Sequence, residues 1–189
     1  YYGAGGGGGG GGAGGLPYGS VSNPLTLGSG GGSYNASGLG RPLDQAGMGG
    51  GVVRIVAANS VTVDGTIGAD ASSSSGYQSY SGGGAGGSIW ITCAAFGGSA
   101  GWVTARGGAG HVYDSARGAA GGGGGRIAID YGSLATPHAL YVSTLPGTGY
   151  LYRTAGDPRS ARMGTLWFPT AGLLTTNLVS FDGYVHVPG

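Results

Sequence analysis

Short blocks of alternating apolar and polar residues are separated along this chain by long runs of glycine, alanine and serine. Val53, Ile55 and Ala57 fall on one face of an extended chain. Arg54 and Val56 fall on the other face. A period of two is typical of a half-buried β-strand, so the pattern predicts a strand here and not a helix.

The apolar blocks recur at a nearly constant spacing. Residues 50–57 align with residues 86–93 at an offset of about 36 residues. Residues 65–69 align with residues 101–105 at the same offset. A third copy begins at Gly124, about 38 residues after the second, and its similarity ends after one strand. Recurrence at this spacing is typical of repeat architectures.

The connections between the predicted strands are of two kinds. Asp64-Gly65, between two β-rich runs, indicates a tight turn. Residues 71–87 and 107–125 consist mainly of small residues. They could form mobile loops, or left-handed extended helices of the polyproline II kind with three residues per turn. We favour the extended helices, because glycine lets such helices approach each other backbone to backbone.

Glycine becomes less frequent after Tyr131, and the alternation then predicts a small β-rich module or cap. Its predicted strands lie at residues 139–143, 150–153, 165–168, 173–178 and 184–187. The predicted domain organisation has three parts, namely a glycine-rich extended segment over residues 1–49, a β-repeat region over residues 50–135 and the C-terminal module over residues 136–189.

Composition limits the fold class. Of the 189 residues, 50 are Gly and 8 are Pro, and neither Lys nor Glu occurs. Lys and Glu are good helix formers and Gly is a poor one, so the composition excludes helical bundles, coiled coils and helix-rich α/β enzymes. We predict an all-β, glycine-rich repetitive architecture, solenoid-like or sandwich-like, with polyglycine or polyproline II segments and essentially no α-helix.

Charge and hydropathy limit the partners. The net charge is +1 and charged residues make up 8%, so the strong basic field that attracts nucleic acids is missing. No stretch approaches the ~20 apolar residues of a membrane-spanning helix. The single cysteine, Cys93, excludes an intramolecular disulfide. The chain begins at Tyr1 without a charged-then-apolar leader, which suggests a processed chain or a fragment.

One family resemblance rests on the order of the blocks. Five segments show it in order. They are residues 18–32, which begin with Tyr-Gly-Ser and end in glycines, the Gly-Gly-Gly-Val-Val-Arg-Ile block 49–55, the Val-Thr-Val-Asp-Gly-Thr-Ile block 61–67, and residues 86–92 and 121–131, in which glycines precede a predicted strand. This succession resembles the glycine-rich repeat regions of large bacterial cell-surface and secreted proteins, over roughly residues 3–135. The resemblance implies an extracellular, repetitive, non-enzymatic β-rich protein. Because this chain is much shorter, it would be a polymerising subunit or a piece of a longer chain.

Patterns for catalysis or metal binding are weak. A phosphate-binding loop needs a Lys after its glycines, and the chain has none. His111 and Asp114 lie three residues apart but have no third ligand nearby. The seven Asp are scattered, and the glycine-rich turns lack the repeated Asp of calcium-binding repeats. We therefore expect no catalytic, cofactor-binding or metal-binding residue, no cofactor and no enzymatic activity.

The aromatic residues admit two interpretations. Tyr77, Tyr80 and Tyr113 could stack on sugars, as could other rings such as Trp102 and Tyr141. Alternatively, large rings fill the space that glycine leaves, in the core or between subunits, and we favour this alternative.

Two short patterns predict glycosylation. Asn35 begins a formal Asn-Ala-Ser sequon. Ser73, within the serine run 72–75, is a candidate O-linked site.

The leading functional hypothesis is an extracellular or cell-surface structural protein that assembles with itself into a filament or surface layer, packed through glycine-rich extended segments and β edges. Low charge and high glycine content allow close packing between chains, and an ordered polyglycine run needs neighbours for its backbone groups. The N-terminal segment 1–15 is the candidate for packing on the next subunit. The assembly residues are Tyr1, Tyr2, Gly5 and Gly12.

Two alternatives stay open. One is an adhesin or glycan-binding surface module, similar to part of a phage fibre, which presents loops on a rigid glycine scaffold. The other is an ice-binding protein, which needs regular rows of threonine. Thr62, Thr66, Thr92 and Thr104 do not recur in register in the sequence, so we rank this alternative last.

Overall fold

The fold is seen in a computed structural model, which describes residues 18–33, 45–75, 81–114, 117–149, 161–175 and 179–188. The described residues form ten strands and one short 3₁₀ helix, Ala171–Thr175. The strands are β1 Val52–Val56, β2 Ser60–Thr62, β3 Thr66–Gly68, β4 Ser88–Thr104, β5 Val112–Asp114, β6 Arg117–Gly118, β7 Arg126–Ser143, β8 Thr165–Trp167, β9 Val179–Asp182 and β10 Tyr184–His186. The prediction of an all-β chain with essentially no α-helix is confirmed.

Eight of the described strands belong to one sheet, and all their pairings are parallel. The main path through the sheet is β1-β4-β7-β8-β10, while β2 and β3 also pair with β4, and β9 also pairs with β7. Strands β5 and β6 form a separate antiparallel pair. Strands β1, β2 and β3 therefore lie end to end beside β4, and the long strands β4 and β7 lie side by side in the same direction, so the connection between β4 and β7 returns to the start of the next strand.

The pairing registers match the spacing of the apolar blocks. Val52 pairs with Ser88, which lies 36 residues later. Ser88 in turn pairs with Arg126, which lies 38 residues later. The pairing of β4 with β7 continues to Ser143, beyond the point at which the sequence similarity of the third copy ends. The predicted division into three domains stays a prediction.

Inward-facing residues of successive strands stack in columns. In the first half of the strands, the fully buried members are Ile89, Ile127 and Leu166 in one column and Ile91 and Ile129 in the next. In the second half, Val103 and Val142 are equally buried. These columns belong to one core cluster, and the rings of Phe168 and Phe181 meet within it at 5.5 Å.

The glycine-rich segments are ordered by hydrogen bonds that recur at every third residue. Residues 82–87 are all buried, and their N–H groups donate in turn to three neighbouring segments. Residues 82 and 85 donate to segment 29–32, residues 83 and 86 to segment 120–123, and residues 84 and 87 to segment 69–72. Their carbonyl groups also accept from Gly47, Gly50 and Gly108. A period of three is that of the polyproline II conformation.

Close backbone approach explains why glycine fills these segments. A Cβ atom on Gly122 would overlap the carbonyl oxygen of Gly84. A Cβ atom on Gly84 would overlap the carbonyl oxygen of Met48. Both overlaps are with backbone, which cannot rotate away as a flexible side chain can.

The segment 18–28 packs across the beginnings of the strands. Arg126, at 2% exposure, donates from Nη1 to the hydroxyl of Thr26 at 2.7 Å. Its guanidinium also lies 5.1 Å from the ring centre of Tyr18. The hydroxyl of Ser88 donates to the carbonyl of Thr26 at 2.6 Å. This segment therefore satisfies polar groups that the sheet buries.

One strand prediction is wrong and one turn has a different role. The strand predicted at residues 173–178 is contradicted over residues 173–175, which belong to the 3₁₀ helix Ala171–Thr175, and residues 176–178 lie outside the described residues. Leu173 inserts fully into the core there, and the N–H of Gly172 donates to the hydroxyl of Thr170. The Asp64-Gly65 bend does not join a hairpin, since β2 and β3 both pair with β4 in parallel. It is a corner between two strands that follow one another along the chain.

Candidate assembly surfaces

The two ends of the main path, β1 and β10, form the candidate assembly surfaces. They are the terminal strands of the path among the described residues. One inward-facing column runs through the whole path, and its members are Val53, Ile89, Ile127, Leu166 and Val185. The three middle residues are fully buried, whereas Val53 is half-buried and Val185 is 41% exposed. The described core is therefore open at the β10 end.

The backbone of β1 presents hydrogen-bonding groups at the edge of the sheet. In a parallel pairing, alternate residues of a strand bond to one neighbour, and the residues between them face the other side. Residues 51 and 57 bond to β4, so the odd-numbered residues of β1 face β4. The N–H and C=O groups of Val52, Arg54 and Val56 therefore face away from the sheet.

The backbone of β10 has the same arrangement on its own edge. The N–H of Tyr184 donates to the carbonyl of Gly164, and the carbonyl of His186 accepts from Phe168. Val185 lies between these two residues, so its N–H and C=O groups face away from β8. Tyr184 is also 53% exposed. Both edges thus combine backbone groups that face outward with apolar side chains.

Most residues that the sequence nominated lie outside the described residues. This holds for the assembly residues Tyr1, Tyr2, Gly5 and Gly12, for the glycosylation candidate Asn35, and for the stacking candidates Tyr77 and Tyr80. Tyr113 belongs to β5, but its side chain is likewise outside the description. The predictions for these residues stay predictions.

Ser73 is exposed on the surface. Its hydroxyl accepts the N–H of Ala109 at 3.0 Å. It therefore contributes to the contact between two glycine-rich segments, and its glycosylation stays a prediction.

A pocket of about 220 Å³ lies at the corner between β2 and β3. Its lining comprises Thr62, Asp64, residues 97–99 and residues 135–137. Asp64 Oδ1 accepts the N–H of Ser99 at 2.6 Å and its hydroxyl at 2.8 Å. These two bonds, the backbone bond first, lower the pKa of Asp64 below its ordinary value because they favour the charged carboxylate. The carboxylate therefore holds the corner in place.

The threonines named for ice binding do not form a row among the described residues. Thr66 pairs with Trp102, and Thr92 pairs with Val56 and Asp130. A flat ice-binding face needs threonine beside threonine on successive strands, and these pairings do not supply it.

Other reactive groups are dispersed. Within the described ranges, no three His, Cys, Asp or Glu residues lie close enough together to hold a metal ion. Cys93 is buried, and burial raises the pKa of its thiol.

No helix in the described part of the chain is long and apolar enough to span a membrane. No protein-family model, curated protein or solved structure matches this chain.

The sequence predicted packing through β edges but did not show which strands form those edges. The strand at residues 184–187 was predicted, but nothing in the sequence placed it at the end of the column that contains Val53. Tyr184 pairs with Thr165, only 19 residues earlier, so the spacing of the apolar blocks does not extend to it.

Proposed function

We propose that this chain is a structural subunit that assembles head to tail with copies of itself. The observation that carries the proposal is the geometry of β1 and β10. They run in the same direction, they are the two ends of one path, and they share the column that contains Val53 and Val185. A second copy placed with its β10 beside β1 would continue the parallel sheet and cover Val185.

The outward-facing backbone groups support one register for this junction. With Val185 of one copy opposite Val53 of the next, the N–H of Val185 would donate to the carbonyl of Val52. The N–H of Arg54 would donate to the carbonyl of Val185. This is the same parallel pattern that joins β1 to β4. The junction therefore needs no change of strand register.

The junction also has a place for one additional segment. Among the described residues, the first half of the strands has five members side by side, β1-β4-β7-β8-β10, whereas the second half has four, β3-β4-β7-β9. When β10 lies beside the next β1, one strand position remains between β9 and the next β3. We assign this position to the N-terminal segment 1–15 of a neighbouring copy.

Contact between unlike ends generates an open assembly. Since β1 binds β10 and not another β1, each added copy presents a new free end, and a filament results unless the rotation closes a ring. In this proposal each chain is a short solenoid whose glycine-rich segments form a bundle of polyproline II helices. The period-three hydrogen bonds support the bundle, and its backbone contacts would make each subunit stiff.

The proposed location is outside the cell or on its surface. It follows from the resemblance to glycine-rich cell-surface repeats and agrees with a low charge content of 8%. Catalysis and cofactor binding form no part of this proposal.

Electron microscopy and light scattering of the native protein at micromolar concentration test the proposal. We expect filaments of uniform width. The variant Val185→Asp places a charge at the β10 end and should leave folded monomers. The control variant Leu27→Asp changes a side chain that is 64% exposed and belongs to neither terminal strand, so it should assemble normally. Discrete monomers of the unaltered chain would contradict the proposal.

Deletion of residues 1–15 distinguishes the contribution of the N-terminal segment from that of the β1–β10 contact. If the sheet edges and the N-terminal segment both contribute, the deletion should shorten filaments, and Val185→Asp should abolish them. If the deletion alone abolishes assembly while Val185→Asp has no effect, the edge-to-edge junction is wrong and the N-terminal segment is the connector.

A further inference from the structure

Trp102 is a large aromatic side chain that the fold leaves at the surface. It lies in the second half of β4, faces away from the core beside the buried Val103, and is 49% exposed. About half of this indole surface therefore stays in contact with water, where it is accessible to a ligand.

The neighbours of Trp102 on the adjacent strands leave one side of its ring open. Its partner on β7 is Tyr141, whose ring centre lies 4.7 Å away at an angle of 59°. Its partner on β3 is Thr66, a small and exposed residue. Adjacent strands are about 4.8 Å apart, so a flat group could lie above Thr66 and against the indole.

Polar groups surround this aromatic pair. The guanidinium of Arg106 lies 5.9 Å from the ring centre of Trp102 and 5.3 Å from that of Tyr141. The guanidinium is held there by a hydrogen bond from its Nε to the Ser143 hydroxyl at 3.2 Å, and the backbone N–H of Arg106 donates to Asp70 Oδ1 at 2.6 Å. The site therefore has a positioned cation beside its rings.

Two carboxylates complete the surroundings. The hydroxyl of Tyr141 donates to Asp182 Oδ2, so that carboxylate lies at the edge of the phenol ring. Asp70 is exposed, and its Oδ2 accepts the hydroxyl of Thr104 at 3.0 Å. Arg106 supplies hydrogen-bond donors beside the rings, Asp182 supplies an acceptor at the Tyr141 hydroxyl, and Asp70 supplies an acceptor that bonds to the backbone of Arg106.

We propose that Trp102, Tyr141 and Arg106 form a binding site for a saccharide. A pyranose ring has an apolar face of C–H groups that packs on an indole, and a rim of hydroxyls that bonds to guanidinium and carboxylate groups. A few polar groups beside an aromatic surface is the usual composition of a small-ligand site. One indole and one phenol are much smaller than the roughly 800 Å² that each partner of a stable protein complex buries, which favours a small polyhydroxylated ligand over a protein.

The site shares no residue with the proposed contact between β1 and β10. It lies on the outward surface of the sheet in its second half. Thr66 of β3 and Asp182 of β9 belong to the strands that flank the position assigned to the segment 1–15, which is why binding is also measured on the variant that should not assemble. In a filament it would recur once per subunit, and a long polysaccharide would then bind several copies with increased avidity.

Binding is tested with immobilised hexasaccharides of β-1,4-linked glucose, N-acetylglucosamine and xylose and of α-linked mannose, with tryptophan fluorescence as a second readout. The measurements use the full chain and the Val185→Asp variant, so that loss of assembly and loss of binding are distinguished. We expect at least one hexasaccharide to bind, and Trp102→Ala to weaken its binding at least about tenfold, the effect of losing one aromatic stacking contact.

Trp90→Ala is the matched control. Trp90 also lies on β4 and also has an arginine over its ring, because the guanidinium of Arg54 is 4.9 Å from its centre. This variant removes an indole and a cation–π contact elsewhere, so it should bind as the unaltered chain does. A second variant, Thr66→Tyr, keeps a β-favouring residue on β3 but fills the open side of the indole, and it should also weaken binding.

Three results would overturn the proposal. They are the absence of binding to every hexasaccharide, unchanged binding by Trp102→Ala, and an equal loss in Trp90→Ala. Thermal unfolding of each variant shows whether a loss of binding reflects a loss of folding.

Discussion

Gly50 and Gly51 are adjacent in the chain, yet only Gly50 is enclosed by other segments. A Cβ atom on Gly50 would overlap the carbonyl oxygen of Ala69 and the N–H nitrogen of Gly87. A Cβ atom on Gly51 would meet nothing within 4 Å. The pair therefore separates the effect of close backbone packing from the general conformational effect of glycine.

Alanine substitutions at these two positions should have opposite effects. Gly50→Ala forces backbone segments apart and should lower the free energy of unfolding by about 1–3 kcal/mol or more. Gly51→Ala restricts the unfolded chain without a clash and should raise it by up to about 1 kcal/mol. Urea unfolding of both variants, followed by tryptophan fluorescence, measures the difference. Equal losses would show that the glycine segments are not packed as described.

Thr26→Val tests whether the segment 18–28 is held by Arg126. The substitution keeps the shape of the side chain but removes the hydroxyl that accepts from Arg126 Nη1 at 2.7 Å. A hydrogen bond to a charged group contributes about 1.5–3 kcal/mol, so we expect a loss near the lower end of that range. Hydrogen exchange should become faster in residues 18–28.

Thr62→Val is the control for this substitution. Thr62 is an exposed strand threonine whose side chain makes no hydrogen bond in the described structure. Its substitution should change the free energy of unfolding by less than about 0.5 kcal/mol. If both variants behave alike, the contact between Thr26 and Arg126 does not stabilise the segment.

The strand positions could be predicted from the sequence because each strand carries its own alternation. Val53, Ile55 and their counterparts in β4 and β7 alternate clearly, and the offset of about 36 residues between the aligned blocks equals the separation of the paired residues Val52 and Ser88. The strand predicted at residues 173–178 failed because Leu173 is buried by a 3₁₀ turn. A single buried leucine gives no period from which to distinguish a turn from a strand.

The candidate surfaces depend on long-range registers that the sequence does not display. The alternation indicates that Trp102 faces outward, but its contact with Tyr141 depends on a shift of register between Phe96 and Gly101. That shift changes the offset between β4 and β7 to 39 residues at Trp102. The composition of the glycine-rich segments likewise favours close packing without showing which segments become neighbours.

Asp64→Asn should reduce the dependence of stability on acidic pH. The bonds from Ser99 make the pKa of Asp64 lower in the folded chain than in the unfolded chain. Their contribution is therefore fully present above the unfolded pKa, about 3.9, and is lost as the pH falls through the lower folded pKa. We expect the unaltered chain to lose more thermal stability than Asp64→Asn between pH about 5 and about 2.

The control for Asp64→Asn is a variant that removes one hydrogen-bond donor to the carboxylate and keeps the charge of Asp64. Ser99→Ala removes the hydroxyl bond but leaves the backbone N–H bond, which is the larger cause of the shift. Its acid dependence should lie between those of the unaltered chain and Asp64→Asn. Three identical profiles would mean that the corner does not hold the carboxylate in solution.

Cys93 should react slowly with thiol reagents in the folded chain. Its side chain is only 6% exposed, and burial, together with the nearby negative charge of Asp130, raises the pKa of its thiol. The reactive thiolate is thus both scarce and shielded at pH 8, and labelling requires the strands to open. We expect the labelling rate with a chromogenic disulfide to rise by orders of magnitude in denaturant.

Asp130→Asn removes the neighbouring charge without opening the core, so it should change the native rate far less. Rapid labelling of the native chain would show that β4 opens readily at this position.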